Sequence, residues 1–122
     1  MIDLRPQLMT QAHEMAMAHL DVARSYTSEQ NQEQAQAHRL RALALEMLAA
    51  EVCLPNVQPT HAVLHRSAAT IALNLGLNTL AFDLASQGLA GHVPMQIRDE
   101  LREVQAKATA PSPSTQGDSP NS

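Results

Sequence analysis

Aromatic side chains are nearly missing from this chain. Of its 122 residues 2% are aromatic, namely Tyr26 and Phe82, and there is no tryptophan. Hydrophobic residues still make up 44%, so Ala, Leu and Met must fill any core. A core rich in alanine brings backbones close together. Helices allow that, whereas strands favour β-branched and aromatic side chains. The expected fold class is therefore all-α.

Other shortages exclude whole functions. The single cysteine, Cys53, rules out an intramolecular disulfide. Between Val52 and Leu54 it reads as a small buried hydrophobe, not a nucleophile. Eight basic residues face twelve acidic ones, for a formal net charge of −4. No basic run occurs, so no nucleic-acid footprint is expected. No apolar run approaches the ~18 residues of a membrane span, and no apolar leader with a basic flank opens the chain. No membrane partner is expected, and the cytoplasm is the expected location. Neither a glycine-rich phosphate loop nor a nucleophile–base grouping is legible. No enzyme, cofactor or metal is expected.

What the chain does contain is helical spacing. Pro6 suits a first helical turn. Met9, Ala12, Ala16, Leu20 and Ala23 then recur on one face, to an end near Tyr26. Thr27 and Gln30 have the spacing of a capping box for a second helix ending near Cys53. Its first half, to Arg41, is mostly polar. Ala42 to Ala50 is apolar nearly all round, so this half is expected to be covered on more than one side. Pro55 to Thr60 reads as a loop, with Thr60 as N-cap. A third helix takes His61 to Leu75, with Leu64, Ala68, Ile71, Ala72 and Leu75 inward, and Gly76 closes it. A fourth runs from Asn78 to Leu89, burying Leu80, Ala81, Leu84 and Ala85. A fifth runs from Pro94 to Ala108. Its thin stripe of Ile97, Leu101, Val104 and Ala108 marks an outer helix that caps the fourth. Residues 1–108 form one domain. Residues 109–122, rich in Pro and Ser, have almost nothing to bury and are expected to be disordered.

Three groupings invite a chemical reading. His61 and His65 share a helix face at metal-ligand spacing. No Glu follows His61 directly and no third ligand is signalled, so both read as structural, at the surface or half-buried. Glu46 and Glu51, five residues apart, point in different directions. Each is expected at the rim of its helix or beside a local Arg, such as Arg41 for Glu46. Met9, Met15, Met17 and Met47 read as fillers of an aromatic-poor core, with an adaptable binding surface as the alternative.

Ala23, Tyr26, Ala35 and Ala42, and then Ala69, Gly76, Ala81 and Gly88, resemble the small, aromatic and glycine positions of tetratricopeptide-repeat hairpins. Gln30 replaces the turn glycine of the first hairpin and Ala72 the aromatic of the second, and Pro94 lies one residue beyond the usual proline. The step from Ala23 to Ala69 exceeds the family's ~34 residues, so the first hairpin is enlarged. The stretch from Val63 to Ala69 also looks like small bacterial helical proteins. The resemblance implies a fold of about five helices in consecutive antiparallel hairpins, acting as a non-enzymatic adaptor that binds a protein or peptide. The concave face is then lined by the first helix of each hairpin. That places Met17, Leu20 and Arg24 beside Arg66, Thr70 and Asn74 as the partner-binding residues. Two arginines suit a partner with an acidic or carboxylate group. The alternative is a structural homo-oligomer, because two hairpins are fewer than the roughly three repeats usually needed for stability.

Overall fold

The computed structural model describes residues 2–110. The expected disordered tail lies almost wholly outside them, beyond Ala110. Within them are five α-helices and no strand: α1 (Arg5–Ser25), α2 (Gln32–Val52), α3 (Thr60–Asn74), α4 (Asn78–Gly88) and α5 (Met95–Thr109). A single 3-10 turn, Glu29–Asn31, joins α1 to α2.

The helices pack as consecutive neighbours. α1 lies antiparallel on α2: His13 meets Glu46 near one end, and His19 meets His38 nearer the other. α2 also packs on α3, α3 on α4, and α5 covers both α4 and α3. The half of α2 that is apolar all round is thus covered by α1 and α3. Thin-striped α5 buries only Leu101 and Val104 completely.

Small residues carry this packing. Ala16, Ala35, Ala42, Ala68, Ala69, Ala72, Ala81 and Ala85 are all 0% exposed. Every alanine that carries the family resemblance is in the core. Gly88 shows how tight the approach is. A Cβ built on it would lie 2.7 Å from the Cβ of His65 and 3.1 Å from a Leu101 methyl. Three helices meet at that point.

The helix ends depart from expectation in two places. Neither Thr27 nor Thr60 caps a helix. The chain between α1 and α2 closes through the 3-10 turn, and the Gln32 amide donates to the Ser28 and Tyr26 carbonyls at 3.2 and 3.5 Å. Thr60 is already helical, and the Ala62 N–H at the start of α3 donates to Oε1 of Gln58 at 3.4 Å. The Gln58 oxygen thus takes one of the orphan N–H groups that open α3. Gly76 closes α3 as expected. Its φ is 78°, the Leu77 N–H donates to the Ala72 carbonyl at 2.9 Å, and the Gly76 N–H donates to that of Leu73 at 3.0 Å. This is a Schellman closure, which glycine makes without strain.

Candidate functional site

α1 and α3 both flank α2, and no Cα of one comes within 8 Å of the other. The gap is a groove of about 530 Å³. Met17, Leu20 and Arg24 form its α1 wall, and Arg66, Thr70 and Asn74 its α3 wall. All six residues selected from spacing therefore line one concavity. Spacings of three and four residues put each set on one helix face. Leu20 and Ile71 make the groove partly apolar, and Ser67 adds a hydroxyl.

Three lining residues lie outside those six: Ser67, Ile71 and Arg39. Arg39 enters from α2, the helix that runs beneath the gap. Its Nη1 donates to the Gln36 side-chain oxygen at 2.7 Å, and no described carboxylate pairs with it. The other two arginines are engaged. Arg24 donates to Asp21 at 2.7 Å, and both side chains are largely exposed. Arg66 donates to Glu100 of α5. The cation best placed to take a new carboxylate is thus the half-buried Arg39.

Arg66, Thr70 and Asn74 also form the near wall of a second depression, completed by Glu100, Glu103 and Lys107 of α5. Glu103 and Lys107 pair at 3.5 Å, one turn apart. The α3 stripe is therefore a ridge between two hollows, with the Arg66–Glu100 pair across the second.

Glu46 corrects a further expectation. It is not at a rim and does not meet Arg41. It is 0% exposed, and both its oxygens lie within 3.0 Å of His13 Nδ1. α2 has no rim at this point because α1 and α3 cover it. A buried carboxylate is tolerable only with such a partner.

Four other histidines lie in two pairs. His19 and His38 bring their Nδ1 atoms to 2.9 Å, so one donates and the other accepts. Tyr26 stacks on His38 with centroids 6.0 Å apart. Desolvation, helped by Arg41 and His19, pulls His38 below the ordinary histidine value. His61 and His65 are both buried, with centroids 4.2 Å apart. The His65 ring donates from Nδ1 to the His61 carbonyl at 2.8 Å, whereas Nδ1 of His61 has no partner among the described residues. Burial, then the nearby His65, lowers His61. No group of three or more His, Cys, Asp or Glu able to hold a metal exists among the described residues. Cys53 is free and buried, and burial pushes its thiol up. No described helix is long and apolar enough to cross a membrane.

Comparison with protein-family models, with curated proteins and with solved structures finds no match to this chain. The tetratricopeptide resemblance therefore stands on residue spacing alone.

Proposed function

We propose that this chain is a tetratricopeptide-like binding module, not an enzyme, whose α1–α3 groove receives a carboxylate-bearing segment of a partner protein. The observation that carries this reading is the groove itself: apolar Met17, Leu20 and Ile71 on its walls beside Arg39, whose only described side-chain partner is an amide. Arg presents a planar fork that grips a carboxylate through two parallel bonds. Met17 and Leu20 offer apolar contact to the rest of the segment. The buried, unpaired Cys53 fits a reducing compartment such as the bacterial cytoplasm.

The reading is tested by selecting binders from a random displayed peptide library. The best peptide is then titrated against the protein by fluorescence anisotropy. Acidic residues should be enriched among the selected peptides. Reversing Arg39 to Glu should cost about 2 kcal/mol, roughly thirtyfold in Kd, the low end for a partly buried charge pair. Selected peptides without a carboxylate, or unchanged affinity in the Arg39→Glu protein, would exclude this groove.

A homo-oligomer is the second reading, favoured by one observation. Leu8, Met15 and Val22 are exposed at 42%, 53% and 39% and recur every seven residues on α1. Such a stripe can pair with its own copy. Light scattering on the eluted protein separates the two readings, since only the second requires a mass above that of one chain.

A further inference from the structure

We propose that His19 and His38 form a proton-operated clasp between α1 and α2, which holds the joint end of that hairpin shut near neutral pH and lets it open in acid. The clasp sits within two turns of the joint on both helices, since α1 ends at Ser25 and α2 begins at Gln32. The two Nδ1 atoms stand 2.9 Å apart and the ring centroids 5.1 Å, so the nitrogens lie between the rings and face each other. In the neutral pair one Nδ1 carries a proton and the other presents its lone pair. A first added proton enters at Nε2 of the donating ring. The bond survives and becomes charge-assisted. A second has only the accepting Nδ1 to enter, and that lone pair is already engaged. Both Nδ1 positions then carry protons, and two like charges face each other, so the contact has to break.

The surroundings do not offset those charges. No described carboxylate pairs with either ring. On α1, Asp21 takes Arg24, and His13 is bound to Glu46. On α2 the cation acting on His38 is Arg41, one turn further along, and Tyr26 of the joint stacks on the same ring. α3, the other helix against α2, contains no Asp or Glu; its His61 and His65 face each other and its Arg66 is paired with Glu100. Desolvation first, then Arg41 and His19, hold His38 below the ordinary histidine value. The His13–Glu46 pair responds in the opposite sense. A proton added at Nε2 of His13 leaves Nδ1 on the carboxylate and makes the contact an ion pair. Acid thus loosens one end of the hairpin and not the other. Leu20 and Arg39 directly follow the clasp residues and line the groove, so that end of the groove loosens too, whatever the groove holds.

Amide hydrogen exchange, corrected for the intrinsic effect of pH, reads the clasp. The open form binds one proton more than the closed one. Protection of the Ala23 and Arg39 amides should therefore fall by up to about tenfold for each pH unit below about 6.5. Protection at Ala12 and Ala49, near the His13–Glu46 pair, should hold. His38→Gln keeps a side chain able to bond His19 and carries no titrating proton, so its protection at Ala23 and Arg39 should stay level from pH 7 to pH 5. His19→Gln, made from the other helix, should do the same. The proposal is overturned if wild-type protection at Ala23 and Arg39 is unchanged over that range, if it falls equally at Ala12 and Ala49, or if both glutamine variants lose it as the wild type does.

Discussion

Removing His13 is the most direct test of how this fold tolerates a charge at its centre. His13→Ala would leave the Glu46 carboxylate 0% exposed with no described partner. Removing the partner of a buried charge costs about 3–5 kcal/mol, because the charge is left uncompensated. Water reaches the His13 side, which is 39% exposed, and this holds the cost near the low end, about 3 kcal/mol. A domain of this size has roughly 5–15 kcal/mol in total. The melting temperature should therefore fall by roughly 12–24 °C. A second variant isolates the cause. Glu46→Leu in the His13→Ala background removes the stranded charge and should recover most of the loss, since an apolar replacement of both partners is often neutral. Urea unfolding followed by circular dichroism measures all three proteins. If His13→Ala costs less than about 0.5 kcal/mol, as an ordinary surface change does, or if Glu46→Leu deepens the loss, the pair does not hold α1 to α2 as argued.

Gly88→Ala should cost about 1–3 kcal/mol by overpacking, because the new methyl meets the His65 Cβ, which cannot swing away; an unchanged urea midpoint would refute the three-helix contact. Ala81→Leu should lower the melting temperature by a comparable amount, since Ala81 is 0% exposed, while Ala110→Leu at the exposed end of the described chain should have no effect. Equal effects at the two alanines would refute the register of α4. His61 and His38 are both held below the ordinary value of 6.5, so the unfolded chain binds more protons than the folded one just below that pH. Stability should then be full above about pH 6.5 and fall as pH drops through the folded values. His61→Gln should flatten part of that slope, as read by thermal melts across pH.

Much of this architecture was legible because it depends on periods within single helices. The stripes of α3, α4 and α5 face inward as read, and the Gly76 closure is where the glycine stands. The six groove residues converge for the same reason, once α1 and α3 are set side by side. The caps were misread because a Thr at the right spacing signals a cap only if the chain enters the helix there. In this chain the Gln58 oxygen takes the Ala62 N–H at the start of α3, and Gln32 donates to the carbonyls of Ser28 and Tyr26 in the turn before α2. The histidine pairs His13–Glu46 and His19–His38 each join α1 to α2. Their meeting depends on the register between two helices, which no spacing within either one reveals.

The placement of Glu46 at a rim and the omission of Arg39 have one physical cause. The hairpin template treats α2 as a back wall, with only α1 and α3 facing the groove. Arg39 and Glu46 are seven residues apart, two helical turns, and so share a face of α2. In the structure that face is the floor between the flanking helices. At one end Arg39 rises into the groove. Two turns on, Glu46 is closed over and meets His13, which stands one turn before Met17 on α1. A charge on the covered face of α2 needs a partner from outside the helix. Glu46 has found its partner within the chain. Arg39 has only the amide of Gln36, and that difference makes it the residue whose reversal says most about what the groove holds.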